Sequence, residues 1–186
     1  MRYLIVTFAL MLICTSLLKA QAEQDWVLNE PRLERRDAFP VAGIQVRDVM
    51  EQDVLMKLWM DFMELRHLIP DPVSPVEYGI SYYGEDFDPE TETGYYYLVA
   101  QEVKALDDLP EPLVGHTVPA GNYLVFEHRG SIHQIQNSFG YIFGKYFQNS
   151  KFIPARQDVF ELYDERFAGE SPDSVVEIWV PVHIDE

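Results

Sequence analysis

Two glutamates near the carboxyl end of the chain each precede an aromatic residue by two positions. Glu161 precedes Tyr163, and Glu177 precedes Trp179, in two runs rich in β-branched and aromatic residues. Such runs predict two antiparallel strands, and side-chain alternation places each glutamate on the same face as its aromatic neighbour. A carboxylate beside an aromatic face would bind a lipophilic cation by Coulomb and cation–π attraction. A structural hydrogen bond at Glu161, or an exposed edge-strand position for either glutamate, would fit the same spacing.

The first half of the chain predicts strands, a helix and further strands. Pro40 is expected to bend the chain, and Asp48 and Glu51 could cap the helix, with Asp53 as a competing start. Apolar residues at helical spacing predict that helix: Leu55, Leu58, Trp59, Phe62, Leu65 and Ile69. Strands are predicted at 32–36, 41–46, 78–83 and 95–103, with a loop at 84–94.

The second half predicts the same order of elements after an acidic, proline-containing linker at 106–112. A strand-like segment at 116–127 is interrupted near Pro119, and Ser131 and Gln134 have the spacing of a capping box. The second apolar stripe consists of Ile132, Ile135, Phe139, Ile142, Phe143 and Tyr146. Strands at 158–163 and 175–182 follow.

This order predicts an α+β fold built by duplication of a strand–helix–strand–strand unit. The two repeats cover about 31–104 and 113–184. Pseudo-two-fold packing of the repeats would place a ligand pocket between them.

The N-terminal residues have the pattern of a secretory signal peptide. Arg2 precedes an apolar stretch at 3–13, and Ala20 and Ala22 provide small residues at a cleavage site. We expect residues 1–22 to be removed and residues 23–186 to form a single periplasmic or secreted domain with no integral membrane segment. The apolar stretch is shorter than a typical transmembrane helix.

Composition excludes several classes of function. Cleavage would remove Arg2, Lys19 and the single cysteine, Cys14, and move the formal charge from −17 to −19. So acidic a surface repels nucleic acid, and loss of the cysteine excludes a cysteine nucleophile. The five histidines lack metal-ligand spacing and no dinucleotide or phosphate-loop motif occurs, so we expect no metal and no cofactor. The pattern favours neither a monomer nor a dimer.

The chain resembles the GyrI-like small-molecule-binding family, which also supplies the effector-binding domain of AraC-type and MerR-type multidrug regulators. In the second half the resemblance rests on 121–130, a helix, 160–163 (Phe-Glu-Leu-Tyr) and 178–181 (Ile-Trp-Val-Pro). In the first half it rests on 58–62 (Leu-Trp-Met-Asp-Phe), Tyr78-Gly79 and the tyrosine-rich 94–97. The similarity covers residues 33–184.

The resemblance implies a central pocket for a lipophilic, often cationic, aromatic molecule. It places the family's acidic pocket residue at Glu161. The further lining residues implied are Tyr163, Glu177, Trp179, Tyr82, Tyr97, Phe143, Trp59 and Tyr123. Regulators of this family also carry a DNA-binding segment, which we do not expect here.

Two alternatives remain beside the small-molecule binder. Some family members hydrolyse strained or reactive small molecules, and Glu161 with Tyr163 or Tyr123 could activate water in that way. The alternative to both is a protein-interaction module with a vestigial pocket, in which the acidic surface binds a basic protein.

Overall fold

A computed structural model describes residues 26–49, 51–91 and 93–184; the predicted signal peptide lies outside these residues. The strands are β1 (Trp26–Leu28), β2 (Arg32–Arg36), β3 (Phe39–Arg47), β4 (Pro72–Asp88), β5 (Thr93–Val103), β6 (Val114–Val118), β7 (Gly121–Gly130), β8 (Ile153–Pro154), β9 (Val159–Tyr163) and β10 (Val175–His183). The α-helices are α1 (Gln52–Leu65) and α2 (Ile135–Tyr141). The fold is therefore α+β.

Over the described ranges, all ten strands join in one antiparallel sheet. The order along the sheet is β1-β7-β10-β9-β4-β5-β3-β6, with β2 also paired to β7 and β8 to β10. Strand β9, which carries Glu161, thus lies in the middle of the sheet.

Two short connections join strands from opposite ends of the sheet. Asp37 and Ala38 connect β2, which pairs with β7, to β3 near the other end. Pro119 and Ala120 likewise connect β6, which pairs with β3, to β7. Because consecutive Cα atoms are about 3.8 Å apart, each link spans at most about 11 Å. The sheet must therefore curl until its two ends approach each other.

Both helical segments cover the same face of the curled sheet. Leu58 and Phe62 of α1 pack in one apolar cluster with side chains of β3 and β5. Ile135 of α2 packs in a second cluster with side chains of β7, β9 and β10. Trp59 of α1 contacts both clusters, so it lies where they meet. No helix in the described part of the chain is long and apolar enough to span a membrane.

The other face of the sheet is the inside of the curl and is rich in aromatic side chains. Phe160 and Trp179 stack there with ring centroids 5.2 Å apart, and Tyr123 packs edge-on to both rings. Phe39 and Tyr78 complete the aromatic part of this buried cluster. The curl brings these rings together from five different strands.

Several local predictions for the first half were wrong. Pro40 lies within β3, paired with Thr117, and the bend falls at 37–38 instead. The predicted loop at 84–94 is largely strand, because β4 continues to Asp88. Asp48 does not cap α1; its Oδ1 accepts hydrogen bonds from the backbone N–H groups of Gly94 and Tyr95. A non-local partner has displaced the local one.

The second helix begins as predicted but is segmented. Ser131 Oγ accepts a hydrogen bond from the backbone N–H of His133, which confirms half of the predicted capping box. Gln134 Oε1 is buried without a hydrogen-bond partner among the described residues, so the other half does not form. A 3-10 turn precedes α2, and a π turn at Ile142–Tyr146 follows it.

Candidate functional site

The two glutamates lie in neighbouring strands, as predicted. Strands β9 and β10 pair antiparallel, and each glutamate accepts a hydrogen bond from the aromatic residue two positions later. The Tyr163 hydroxyl donates to Glu161 Oε2 at 2.9 Å, and Trp179 Nε1 donates to Glu177 Oε2 at 2.9 Å. The local Glu-x-aromatic geometry is therefore confirmed for both pairs.

The register of the two strands separates these pairs. Glu161 is directly opposite Ile178, while Glu177 is directly opposite Leu162. Directly opposite residues share a face of the sheet, so the two glutamates project from opposite faces. Glu161 faces the helices, and Glu177 faces the inside of the curl.

Glu161 is the centre of a buried hydrogen-bonded cluster beneath α1. Its Oε2 accepts from the Tyr97 hydroxyl at 2.7 Å in addition to Tyr163. Trp59 Nε1 in turn donates to the Tyr97 hydroxyl oxygen at 3.2 Å, and the Trp59 and Tyr163 ring centroids are 4.7 Å apart. Only 8% of the surface of Glu161 is exposed. Four of the predicted site residues thus come together here.

Gly79 makes room for this cluster. It lies directly opposite Glu161 in the β4–β9 pair, and Tyr97 reaches across it from β5. A Cβ atom at position 79 would lie 2.5 Å from Glu161 Oε2 and would clash with the Tyr97 hydroxyl. Any larger residue at position 79 would therefore force the carboxylate or the hydroxyl to shift.

In the part of the chain that the structure describes, the carboxylate of Glu161 has no cationic partner. Within the described residues its hydrogen-bond donors are the neutral hydroxyls of Tyr97 and Tyr163, and it forms no ion pair. Burial raises the pKa of the Glu161 carboxyl, and the two hydroxyl donors only partly oppose this effect. Burial and the adjacent carboxylate together hold the pKa values of Tyr97 and Tyr163 well above the ordinary value. The site therefore disfavours negative charge in the absence of a cation.

Glu177 has the opposite environment. Its Oε1 accepts hydrogen bonds from Arg32 Nη2 and from Arg166 Nη2, each at 2.8 Å. Burial by itself raises the pKa of this carboxyl, but the two arginines and Trp179 outweigh burial and lower it. Two arginines of the chain itself therefore occupy the position that was predicted for a bound cation at this glutamate.

The rings around Trp179 also have an internal cation. The guanidinium carbon of Arg36 lies 4.0 Å from the Phe39 ring centroid and 5.3 Å from that of Trp179. The same group lies 5.5 Å from the Tyr78 centroid and 5.6 Å from that of Phe160. Arg36 enters this aromatic cage from β2, the strand that crosses between the ends of the sheet.

The remaining predicted residues do not join Glu161. Tyr82 faces the inside of the curl, where it stacks on His116 at 4.0 Å between ring centroids; burial raises its pKa to about 12. Tyr123 is on that face too, and its hydroxyl donates to the Pro119 carbonyl oxygen at 2.9 Å. Phe143 is 44% exposed and stacks on Phe139. Glu177, Trp179, Tyr82 and Tyr123 therefore cannot line one pocket with Glu161, because the sheet separates them.

Residue type and spacing did not reveal Gly79 or the arginines as parts of these sites. Arg32 and Glu177 are 145 positions apart in the chain, and only the pairing of β2 with β7 brings them together. The role of Gly79 depends on its register opposite Glu161. In the described residues, no group of three or more histidine, cysteine or acidic side chains is arranged to hold a metal ion.

Comparison with known proteins identifies the family of this fold. Residues 29–183 match the model of the GyrI-like small molecule binding domain. The transcriptional regulator BrlR of Pseudomonas aeruginosa is 32% identical over 154 residues, which make up 82% of this chain and 55% of BrlR. The chain thus spans about half the length of this curated relative.

Two solved structures share the fold at low sequence identity. The integron cassette protein VCH_CASS2 of Vibrio cholerae has a TM-score of 0.63 and 18% identity, over 86% of this chain and 100% of that protein. SAV2435, solved in complex with tetraphenylphosphonium, has a TM-score of 0.66 and 19% identity, over 83% of this chain and 94% of that protein.

Proposed function

We propose, since this chain belongs to the GyrI-like small-molecule-binding domain family, that it sequesters or senses a lipophilic, cationic aromatic ligand at Glu161. The proposed site is the cluster of Glu161, Tyr163, Tyr97 and Trp59. One observation carries the proposal: Glu161 is buried and has two neutral hydroxyl donors but no cationic partner in the described part of the chain.

A bound cation would supply the charge that this site lacks. Burial of the Glu161 carboxylate costs free energy when it ionises, and a cation at contact distance offsets that cost. The aromatic rings of Trp59 and Tyr163 add cation–π attraction of about 0.5–2 kcal/mol per ring. Apolar burial of the ligand contributes about 25 cal/mol per Å². The Coulomb and cation–π contributions favour a cation over a neutral molecule or an anion of the same shape, and apolar burial favours a hydrophobic ligand of any charge.

The experiment compares one cation with one neutral molecule. Tetraphenylphosphonium, the ligand named for SAV2435, is the lipophilic cation, and triphenylphosphine oxide is a neutral partner of related shape. Isothermal titration calorimetry measures Kd for the wild type, Glu161→Gln and Glu177→Gln. Glu177→Gln is the matched control, because it neutralises a buried glutamate that already has arginine partners.

We expect Glu161→Gln to weaken tetraphenylphosphonium binding by at least about 30-fold, the factor that corresponds to about 2 kcal/mol. Binding of the neutral molecule should change little, and Glu177→Gln should leave both affinities near the wild-type values. Equal losses for the cation and the neutral molecule in Glu161→Gln would contradict the proposal.

Recovery of the ligand separates binding from hydrolysis. A binding protein returns its ligand with unchanged mass, whereas a hydrolase adds one water. If hydrolysis occurs, Glu161 and Tyr163 are the candidate groups, because Tyr123 donates its hydroxyl hydrogen to Pro119 on the other face. Absence of binding by all small molecules would instead favour the protein-interaction alternative.

We also propose that the domain is a pseudo-two-fold duplication. In support, the second half contributes β7, β10 and β9 in that order along the sheet, and the first half contributes β3, β5 and β4 from the opposite end. In each half the first of these strands in the chain is farthest from the junction, and the second lies at the junction. The short strands β2 and β6 precede equivalent strands, and each pairs with the other half. The Glu161 cluster would then lie at the junction of the halves, where β9 meets β4.

Export to the periplasm or exterior is the final part of the proposal. Its support is the sequence pattern of Arg2, the apolar stretch 3–13 and the small residues Ala20 and Ala22. Expression of the whole sequence in a bacterial host should yield a protein in the periplasmic or culture fraction whose intact mass begins at Glu23. Full-length protein confined to the cytoplasm would contradict export.

A further inference from the structure

A surface depression adjoins the Glu161 cluster at the end of α1. Its volume is about 270 Å³, and it is lined by Arg66, Pro75, Val76, Glu77, Tyr163, Asp164, Glu165 and Phe167. Tyr163 belongs both to this depression and to the buried cluster, since its hydroxyl donates to Glu161. The depression is therefore one side chain away from the buried carboxylate.

The walls of the depression combine aromatic and acidic side chains. Phe167 packs edge-on against Tyr163 with ring centroids 4.9 Å apart. Glu77 is directly opposite Tyr163 in the β4–β9 pair, so its carboxylate projects from the same face. Asp164 and Glu165 also line the depression, and Asp164 is already ion-paired with Arg166 at 2.7 Å. Aromatic faces beside carboxylates repeat the chemistry of the buried cluster in a more accessible position.

The depression already holds one cation. Arg66 Nη1 forms an ion pair with Glu77 Oε1 at 2.9 Å, where the Glu77 side chain is 16% exposed and the Arg66 side chain 48%. Burying a carboxylate costs less free energy when a cation pairs with it, whereas a half-exposed arginine can return to water at small cost. Another cation could therefore replace the Arg66 guanidinium at Glu77 while the Glu77 side chain stays in place.

We infer that this depression is an outer subsite for the cationic ligand, and that Arg66 is a built-in competitor for it. This inference rests on the proposed function at Glu161 and adds a second location to it. An incoming cation pairs with Glu77, contacts Phe167 and Tyr163, and displaces the Arg66 guanidinium to solvent. Removal of Arg66 should therefore improve cation binding, although it also deletes a hydrogen-bonding side chain from the site.

The test compares two arginine substitutions with the same change of net charge. Arg66→Gln removes the competitor, and Arg129→Gln removes an exposed arginine from β7, which β10 and β9 separate from β4. The probe is tetraphenylphosphonium, titrated at low salt with intrinsic tryptophan fluorescence for Kd and stopped-flow mixing for the association rate. Thermal melts establish that each variant is folded.

We expect Arg66→Gln to lower Kd by about two- to fivefold relative to Arg129→Gln, the factor equivalent to an exposed ion pair. Arg66→Lys should restore the wild-type Kd, because it restores a competing cation. Phe167→Ala should raise Kd by a similar factor, since it removes one aromatic wall. Equal Kd values for Arg66→Gln and Arg129→Gln, or weaker binding by Arg66→Gln, would overturn the inference.

The same substitutions in the Glu161→Gln background separate this inference from the proposed function. If Glu161→Gln greatly weakens binding while Arg66→Gln has no effect, the buried site stands and the outer subsite is wrong. If Glu161→Gln changes nothing while Arg66→Gln and Phe167→Ala retain their effects, the outer subsite stands and the buried site is wrong. Absence of tetraphenylphosphonium binding by every variant overturns both.

Discussion

Glu161 is paired directly opposite Ile178 in the β9–β10 ladder, one position away from Glu177. This offset of one residue places the two glutamates on opposite faces of the sheet. On one face Glu161 meets two tyrosine hydroxyls, and on the other Glu177 meets two arginines. The same Glu-x-aromatic pattern therefore produces, among the described residues, one carboxylate without a cationic partner and one carboxylate paired with two arginines.

The effect of Glu161→Gln on the free energy of unfolding should depend on pH. Burial raises the folded-state pKa of Glu161 above the ordinary value of 4.5, so its contribution to stability is fully present below pH 4.5 and is lost as pH rises through the folded pKa. Glutamine stays neutral throughout. Glu161→Gln should therefore gain stability relative to wild type between acidic and neutral pH, by about 1.4 kcal/mol for each unit by which the pKa is raised.

Urea unfolding at pH 4 and pH 7 measures this difference. A constant difference in the free energy of unfolding between wild type and Glu161→Gln at the two pH values would show that the carboxylate is not penalised in the fold.

Glu177→Gln should have the opposite pH dependence. The arginines and Trp179 outweigh burial and lower the folded-state pKa of Glu177, so its contribution is present above pH 4.5 and is lost as pH falls through the folded pKa. At neutral pH the substitution should cost about 2 kcal/mol, the typical value for hydrogen bonds to a charged group. Urea unfolding at pH 4 and pH 7 measures this cost. An equal loss of unfolding free energy at both pH values would contradict a lowered pKa for Glu177.

Gly79→Ala should disrupt the Glu161 cluster. The added Cβ would clash with the Tyr97 hydroxyl and lie 2.5 Å from Glu161 Oε2, so side chains must shift at a cost of about 1–3 kcal/mol. Thermal unfolding measures that cost, and loss of tetraphenylphosphonium binding should accompany it.

Gly140→Ala is the matched control. Gly140 lies in α2, and a Cβ there meets no atom within 4 Å, so alanine should be neutral or stabilise the helix by up to about 1 kcal/mol. Similar losses for the two substitutions would argue against a specific role for Gly79.

Arg36→Ala should destabilise the curled sheet. The Arg36 guanidinium faces four aromatic rings and donates to the Tyr78 hydroxyl at 2.9 Å, so its removal should cost about 2 kcal/mol. Arg35→Ala on the same strand is the control, because Arg35 is exposed. Chemical denaturation compares the two, and an equal effect would mean that the aromatic cage contributes little.

Features with a local cause were predicted well. The apolar stripe of α1 follows from helical periodicity, and Leu58 and Phe62 are indeed buried. The predicted cap was wrong because backbone groups distant in the sequence took the place of the expected local hydrogen-bond partner. Asp48 has the right type for an N-cap but bonds to Gly94 and Tyr95, 46 and 47 positions away.

Side-chain alternation within a single strand is a property of the local backbone, so the bonds from Tyr163 to Glu161 and from Trp179 to Glu177 could be predicted from spacing. Strand register and the approach of distant side chains are properties of the whole sheet. They placed Gly79 opposite Glu161, and they brought Arg32 and Arg166 to Glu177. Folding of the sheet therefore decided which of the two motifs has no cationic partner in the described ranges, because a shift of one residue reverses the face that every side chain occupies.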